Sequence, residues 1–289
     1  MKAAHRLIDI GANLTNHRYH SDVATVIQRA KDAGIIKIMI TGTSEKASKE
    51  ALEMAVKDTD SFLYATAGVH PHDAKHYDGD KSRQKLVELS QHPKCVAVGE
   101  CGLDFNRNFS PPDVQLHVFE EQVKLACELQ KPLFIHEREA SEAMVNILTK
   151  YKADLPPAVI HCFTGTTDEV TKYVDMGLYI GLTGFLWKDK LPNGVQAALR
   201  AKRIPLDRLM VETDAPFMYP NIKAKKFPSE IRDKVSEHSM QYLSHCSFDR
   251  NEPCSLSATV DMIAGFMDVP TGEVAEATTK NAMTVFGLE

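Results

Sequence analysis

The sequence has few features of a membrane-bound, secreted or nucleic-acid-coating protein. No apolar run is long enough to cross a membrane, and the opening residues MKAAHRLIDIGANL lack the apolar core of a signal peptide. Basic residues are also outnumbered, because 34 Lys and Arg face 39 Asp and Glu, for a formal charge of −5. Proteins that coat nucleic acid over a broad surface are usually basic. We therefore expect any nucleic-acid substrate to bind in a local pocket.

Cysteine pairs are also scarce. The six cysteines include no C-x-x-C motif, and a chain of 289 residues needs no disulfide bonds to hold its core together. We expect reduced thiols and a cytoplasmic location, with the nucleus as the alternative. No apolar surface stripe is visible, so we expect a monomer. The phosphate-binding pattern G-x-G-x-x-G is absent after the first apolar run, which disfavours a dinucleotide-binding protein.

Eight short, β-branched apolar runs alternate with amphipathic stretches. The runs are Leu7–Ile10, Ile35–Thr41, Phe62–Ala67, Val96–Gly99, Leu133–Ile135, Ala158–Ile160, Leu178–Gly181 and Leu209–Val211. The amphipathic stretches are Asp22–Ala33, Ser44–Lys57, Lys81–Ser90, Val114–Gln130, Ala140–Lys150, Thr167–Asp175 and Gly194–Ala201. Strands that alternate with helices predict βαβ units and a parallel sheet, and eight such units predict an α/β protein of the (β/α)8 TIM-barrel type.

The pattern changes after the eighth run. A long polar loop is predicted at about 217–251, and two terminal helices follow it at Glu252–Phe266 and Thr271–Phe286. No linker with a shift in composition is visible. We therefore expect residues 1–289 to form a single TIM-barrel domain.

Polar residues follow the apolar runs, at positions that form the active-site face of such a barrel. Two carboxylates and two imidazoles stand there, namely Glu100, His136, His161 and Asp214. A lone histidine at such a position is usually structural, and a lone acid is often part of an ion pair at the rim. The joint pattern instead predicts a mixed nitrogen and oxygen site for Mg²⁺, Mn²⁺ or Zn²⁺. Asp104 and Glu212 stand near these residues and are expected to support the ligands or pack beside them, with direct contact to the ion as an equal alternative.

Six segments in order along the chain resemble the TatD family of deoxyribonucleases. They are Asp9-Ile-Gly-Ala-Asn13, Ala67-Gly-Val-His70-Pro-His72-Asp, Val98-Gly-Glu100-Cys-Gly-Leu-Asp104, Ile160-His161-Cys-Phe-Thr-Gly165, Val211-Glu-Thr-Asp214-Ala-Pro216 and Arg250-Asn-Glu-Pro253. The resemblance implies a metal-dependent barrel hydrolase of the amidohydrolase superfamily. It implies a 3′–5′ exonuclease acting on single-stranded DNA ends with Mg²⁺, and roles in DNA repair or in DNA degradation during apoptosis.

The resemblance also implies roles for particular residues. Glu100, His136, His161 and Asp214 would bind one or two ions, with Glu100 bridging them where a second is present. Two departures bear on this. Many relatives carry His-x-His after the first strand, where this chain has Gly11-Ala12-Asn13. The TatD proteins proper share the Gly-x-Asn form and are regarded as nucleolytic. They usually carry His-Cys-Arg on the fifth strand, where this chain has His136-Glu137-Arg138.

These departures shape the predicted mechanism. Asn13 offers a poorer metal ligand than imidazole, which puts the second ion in question. Glu137 is expected to do one of three things: alter the choice of metal, repel phosphate, or point into solvent.

In the predicted reaction, Asp214 takes a proton from water while Glu100 helps to hold the cation. Phosphate oxygens would be held by a further set of residues, namely His70, His72, Arg138 and Asn13.

Several alternatives stay open at this point. His72 also suits a simple hydrogen bond at the rim, and Arg138 also suits an ion pair with Glu137 or Glu139. The same metal site would serve a small-molecule hydrolase that cuts a cyclic amide, lactone or phosphoester. A binding or scaffold protein that has lost its activity is the third reading. Metal content and an assay on oligonucleotides distinguish the three.

Overall fold

The structure is a computed structural model that describes residues 5–288. Residues 1–4 and 289 lie outside this range. The two ends of the predicted domain and the first four residues of the N-terminal segment MKAAHRLIDIGANL therefore fall outside the described residues. Within residues 5–288, every helix is too short or too polar to cross a lipid bilayer.

Strands and helices alternate along the described chain as predicted. The strands are β1 (Leu7–Ala12), β2 (Ile35–Ile40), β3 (Leu63–Ala67), β4 (Cys95–Asp104), β5 (Leu133–Arg138), β6 (Ala158–His161), β7 (Tyr179–Leu182) and β8 (Leu209–Val211). The helices are α1 (Val23–Asp32), α2 (Glu45–Lys57), α3 (Gly79–Ser90), α4 (Pro112–Leu129), α5 (Ser141–Lys150), α6 (Thr167–Asp175), α7 (Val195–Arg200), α8 (Ser229–Arg232), α9 (Glu237–Leu243), α10 (Leu256–Met267) and α11 (Thr271–Phe286). Every predicted strand is confirmed.

The strands form one sheet in sequence order, from β1 to β8. The pairs β3–β4, β4–β5, β5–β6 and β7–β8 are parallel. The chain beyond β1 is also bonded to the chain beyond β8, because Asn13 donates its backbone N–H to the carbonyl of Ala215 at 2.7 Å. A sheet whose last strand returns to its first is the (β/α)8 barrel, which confirms the predicted fold class.

The described residues divide into two compact units. The first unit runs up to Ile38 and resumes at Cys162–Thr284, and the second holds Met39–His161 with the residues from Val285 on. In the second unit, β3 and β4 are buried throughout and β5 is buried except at His136 and Arg138, as in parallel sheets covered by helices. In the first unit, β1 and β8 are fully buried. The single-domain organisation stays a prediction.

Strand β4 is longer than its apolar run indicated, because it continues through Glu100 to Asp104. Two glycines make the extension possible. Gly99 and Gly102 both have a φ of +142°, a region open to glycine alone, and a Cβ on Gly102 would lie 1.9 Å from the carbonyl oxygen of His136. The register with β5 shifts between Gly99 and Cys101. The irregular strand therefore carries Glu100 inside the sheet instead of after it.

The segment predicted as a long loop at about 217–251 contains two short helices, α8 and α9. Ser236 explains the second, because its side chain accepts the backbone N–H of Ser239 and caps the helix. The helix predicted at Glu252–Phe266 begins later, since Pro253–Ser255 form a 3₁₀ turn before α10. The loop assignment was therefore too simple for this part of the chain.

Candidate metal centre

Three imidazoles surround one carboxylate oxygen in the second unit. Oε1 of Glu100 lies 2.8 Å from Nε2 of His161, 3.1 Å from Nδ1 of His136 and 3.2 Å from Nε2 of His70. These four residues are the histidine cluster. They come from β4, β5 and β6 and from the chain just after β3. His136 and His161 are register partners on neighbouring strands, which explains how distant residues meet.

His136 is held between two carboxylates. Its Nδ1 faces Glu100, and its Nε2 lies 3.3 Å from Oδ2 of Asp104. Burial by itself lowers the pKa of His136, but the hydrogen bonds to Asp104 and Glu100 outweigh burial and raise the pKa. A metal-binding histidine commonly donates its other ring N–H to a carboxylate. Asp104 is placed to receive that proton, and an ion bound at Nδ1 of His136 would replace the proton through which Nδ1 now contacts Glu100.

His70 has a different hydrogen-bonding pattern. Its Nδ1 accepts the backbone N–H of His72 at 3.0 Å, so that nitrogen carries no proton. Burial lowers the pKa of His70 to about 4, so the ring is neutral and its proton sits on Nε2. His70, Glu100 and His136 have ligand atoms close enough together to hold an ion. The tautomer nevertheless makes His70 a donor towards Glu100, which suits contact with an anion better than with a cation.

Glu100 stays ionised although it is buried. Burial raises the pKa of a carboxyl group, but attraction by His161 and His70 and hydrogen bonds from His136 and His161 outweigh burial and hold the pKa of Glu100 well below its ordinary value. An ionised carboxylate with imidazole nitrogens about 3 Å away is the donor set of a Mg²⁺, Mn²⁺ or Zn²⁺ site. These residues fit a metal ion.

Asp104 connects the histidine cluster to its surroundings. Its Oδ2 lies 2.7 Å from Nε2 of His72, and its Oδ1 accepts the backbone N–H groups of Asn106 and Arg107. Burial opposes ionisation of Asp104, but the hydrogen bonds from His136, Arg107 and His72 lower its pKa far below the usual range. Through His136 and His72, Asp104 thus contacts two histidines of this region, while its predicted supporting role stays a prediction. His72 meets Asp104, and its ring also touches Phe109 edge-on at 4.8 Å.

Two buried glutamines of α4 were not identified from the sequence. Gln115 accepts the backbone N–H of Asp104 at 2.8 Å and donates to its carbonyl at 3.1 Å. Gln122 contacts the N–H and carbonyl of Val69 in the same way, at 2.8 and 3.0 Å. Each glutamine thus fixes the backbone beside a polar residue of the centre, since His70 follows Val69. The signal was their spacing of two helical turns on a face otherwise buried and apolar.

In the first unit, Asp214 is held by a different set of neighbours. Its Oδ1 accepts Nδ2–H of Asn13 at 2.9 Å, and its Oδ2 lies 3.9 Å from the sulfur of Cys162. Asp214 has a φ of +48°, a conformation that costs free energy and is concentrated at functional sites. Asn13 was predicted to contact phosphate, and the structure places its amide on Asp214.

A buried carboxyl group lies behind this segment. Asp9 accepts the N–H of Thr213 at 2.9 Å and its hydroxyl at 2.5 Å, and it also accepts the N–H of Gly11 at 3.2 Å. Burial raises the pKa of Asp9 to about 7 against these hydrogen bonds. Asp9 therefore fixes the residue before Asp214, which is a role that the sequence did not reveal.

The remaining predicted residues have defined positions. Glu212 is fully buried and accepts the backbone N–H of Cys162 at 2.5 Å, so it fixes the chain directly after His161. Arg138 ends β5, opposite Asp104 in the register, and is half-buried. The carboxylate of Glu137 accepts the N–H of Ala140 at 2.8 Å, at the start of α5. Glu137 is buried, so it does not point into solvent, which was one of the predicted alternatives.

An ionised carboxylate among imidazoles, carried by successive strands of a (β/α)8 barrel, defines a metal-dependent hydrolase. The model of the family described as TatD-related DNases matches residues 8–287. The chain belongs to the TatD family of metal-dependent nucleases.

Individual relatives agree with the family match over their whole length. A protein of Edwardsiella piscicida named 3′-5′ ssDNA/RNA exonuclease TatD is 40% identical over 282 residues, which cover 98% of this chain and 100% of the relative. A protein of Erwinia tasmaniensis with the same name is 39% identical, with the same coverage. The crystal structure of YJJV, a TatD homologue from Escherichia coli, has a TM-score of 0.82 at 25% identity and covers 98% of this chain and 99% of its own.

Proposed function

We propose that this chain is a 3′–5′ exonuclease that hydrolyses phosphodiester bonds at single-stranded nucleic-acid ends, with DNA as its main substrate. The observation that carries the proposal is the ionised Glu100, whose Oε1 lies within 3.2 Å of three imidazole nitrogens. The names of the relatives supply the direction of digestion and the class of substrate.

The metal is proposed to be Mg²⁺, with Mn²⁺ and Zn²⁺ as alternatives, bound as one or two ions. The proposed ligands are Glu100, His136, His161 and Asp214. When bound, the ion polarises a phosphoryl oxygen and lowers the pKa of water. Support for the first three comes from their mutual distances, and support for Asp214 comes from its place after β8, because strand carboxyl ends form the active-site face of a barrel.

Asp214 is proposed to act as general base. Its Oδ1 already accepts a hydrogen bond from Asn13, so the carboxylate is oriented before substrate arrives. The proton of the attacking water would pass to Oδ2. Thr213, fixed by Asp9, sets the backbone from which Asp214 projects. Asn13 is therefore proposed to orient Asp214, and its expected contact with phosphate stays a prediction.

Three side chains are proposed to hold the phosphate. His70 is neutral and carries its proton on Nε2, which can turn from Glu100 to a phosphate oxygen. His72 is oriented by Asp104 at 2.7 Å. Arg138 ends the strand that carries His136, and its planar guanidinium matches two phosphate oxygens. Asp104 and Glu212 are proposed to act behind them, through His136 and through the backbone after His161.

The experiment that tests this proposal is a time course on end-labelled single-stranded DNA with Mg²⁺, using the wild-type chain and Asp214→Asn. The variant is expected to bind metal more weakly and to lose at least about 10³-fold in rate, the loss typical of removing a catalytic base. Asp113→Asn, at an exposed residue of α4, is the matched control and should retain full activity. Full activity in Asp214→Asn would refute the assigned role.

Parallel substrates separate the alternatives. The same oligonucleotide as RNA, labelled at either end, tests the sugar preference and the direction. A cyclic amide, a lactone and a simple phosphodiester test for a small-molecule hydrolase. Metal-bound protein that cleaves none of these substrates would favour a binding protein. The monomeric state, the cytoplasmic location and roles in DNA repair or apoptosis stay predictions.

A further inference from the structure

Two cysteines in the first unit lie side by side without being bonded. Cys246 follows α9, and Cys254 lies in the 3₁₀ turn before α10. Their sulfur atoms are 3.8 Å apart, and both thiols point towards the carbonyl of Tyr242, at 3.8 and 3.7 Å. Cys254 is fully buried, whereas Cys246 is partly exposed. Cys246 is therefore the member of the pair that a small reagent would reach first from solvent, and Cys254 lies buried beside it.

We propose that Cys246 and Cys254 are a redox modification site that forms a reversible disulfide with a peroxide as oxidant. The Cys246 thiolate attacks one peroxide oxygen, so that an S–O bond forms, the O–O bond breaks and water leaves after protonation. The Cys254 thiol then attacks the sulfenic sulfur. The S–S bond forms as the S–O bond breaks, and the thiol proton leaves with the hydroxide as a second water. Two thiols lose two electrons in all, and the peroxide gains them.

The geometry supports a bond between these two sulfurs. A disulfide has a sulfur separation of about 2.05 Å, so the atoms need to approach by roughly 1.8 Å. Residues 247–250 of the segment between them form a surface turn in which Ser247 and Arg250 exchange backbone hydrogen bonds, and Phe248 at its tip is 66% exposed. Residues 251–253 are buried. The surface turn can adjust its backbone more readily than a strand or a buried helix.

The disulfide would also act on the segment that carries Asp214. Asn251, three residues before Cys254, donates its backbone N–H to the carbonyl of Pro216 at 3.0 Å and its side-chain amide to the carbonyl of Thr213 at 3.3 Å. Both of these contacts flank Asp214. Movement of Cys254 towards Cys246 would displace Asn251 and weaken these two hydrogen bonds. Oxidation is therefore expected to lower nuclease activity. This second part of the inference rests on the proposed function, whereas formation of the disulfide does not.

The test exposes the reduced full-length protein to hydrogen peroxide, blocks the remaining thiols by alkylation and identifies tryptic peptides by mass spectrometry. Arg250 lies between the two cysteines, so trypsin places them in separate peptides that only a disulfide can join. We expect that joined pair to appear and to vanish after treatment with dithiothreitol. Its absence after peroxide treatment overturns the proposal, whatever the activity of the protein.

Activity is measured on the same samples. Oxidation is expected to reduce the rate about tenfold or more, because ångström-scale displacement of a positioned group costs up to about 10²-fold, and dithiothreitol should restore it. Cys246→Ser should keep the basal activity and resist peroxide. Cys127→Ser, at another partly exposed thiol, should behave like the wild type.

Two outcomes would contradict the expected effect of the disulfide on nuclease activity. Disulfide-linked peptides without any change in rate would show that the disulfide does not affect the segment that carries Asp214. Inhibition that persists in Cys246→Ser assigns the effect to another thiol, such as Cys162 beside Asp214. If the wild-type protein shows no nuclease activity in either redox state, the proposed function fails while the peptide result still decides whether the disulfide forms.

Discussion

Oε1 of Glu100 lies 2.8 Å from Nε2 of His161, and both groups are almost completely buried. Burial of a carboxylate is unfavourable unless opposite charge or hydrogen-bond donors compensate it. Here the imidazoles of His161, His136 and His70 do so. Two of these imidazoles, His136 and His161, are also the ones proposed to share the ion with Glu100, so the protein itself brings these ligands together.

Replacing Glu100 by glutamine tests this relationship. The amide keeps the shape of the side chain but loses its charge, so Mn²⁺ affinity measured by titration calorimetry should fall more than about 100-fold. Even residues that only support ligands cost 10–100-fold. Glu88→Gln, at an exposed residue of α3, is the matched control. Unchanged affinity in Glu100→Gln would show that the ion binds elsewhere.

The contact of Gln115 with Asp104 predicts a large effect on stability. Gln115→Leu leaves the N–H and carbonyl of Asp104 and the carbonyl of Ser110 without their hydrogen-bond partner. Unpaired buried groups cost about 1–3 kcal/mol each, so urea unfolding should show a loss of at least about 3 kcal/mol in the free energy of unfolding. Gln28→Leu, at an exposed residue of α1, should change it by less than about 0.5 kcal/mol. Similar values for the two variants would contradict the importance of the Gln115 contact.

Asp9 predicts a pH dependence of stability. Its pKa is about 7 in the folded state against 3.8 for an ordinary aspartate, because burial disfavours the charge. The folded state therefore binds the proton more tightly, and this contribution to stability is complete below about pH 4 and is lost as the pH rises through 7. Asp9→Asn resembles the protonated form, so its stability lacks this pH-dependent contribution.

The measurement for Asp9 is urea unfolding from pH 5 to pH 8 in the presence of a chelator. The wild type should lose about 2.5 kcal/mol of stability relative to Asp9→Asn between pH 5 and pH 8. Asp113→Asn should follow the wild type. Parallel curves for the wild type and Asp9→Asn would mean that Asp9 titrates near its ordinary pKa.

The ion pair between Arg29 and Glu252 predicts a contrast between buried and exposed pairs. Arg29 contacts both oxygens of the buried Glu252 at 2.8 Å, with Arg250 as a second partner at 3.2 Å. Arg29→Met leaves a buried charge only partly compensated, so thermal and urea unfolding should show a loss of about 2–4 kcal/mol. Arg83→Met breaks an exposed pair with Glu128 and should cost less than about 1 kcal/mol. Equal losses would show that Arg250 replaces Arg29 fully.

Much of the fold was predictable because its signals are local. Each of the eight apolar runs lies between turn and helix signals, and each became a strand. The strand ends were less predictable. Strand β4 runs past its apolar residues to Asp104, because pairing with β5 continues through the polar stretch. The two helices at Ser229–Arg232 and Glu237–Leu243 were missed because each is too short to show a clear apolar period.

The sequence was sufficient to predict which residues form the candidate site. It was not sufficient to predict the hydrogen bonds that they make. Glu100, His136 and His161 meet as expected, because parallel strands bring their carboxyl ends together. His70 carries its proton on Nε2 because its Nδ1 accepts the backbone N–H of His72, and the sequence pattern does not reveal this contact. The contacts of Gln115 with Asp104 likewise depend on how α4 packs on the sheet.

The sequence by itself determined the alternation of strands and helices, the order of the strands and which of them carry acids and imidazoles, because periodicity and residue chemistry are properties of short segments. Only the tertiary structure decided which nitrogen of each histidine faces Glu100, why Asp9 is buried beside Thr213, and that the sulfurs of Cys246 and Cys254 are neighbours. These features arise from distances between residues far apart in the chain, and such distances are set by packing instead of by local preference.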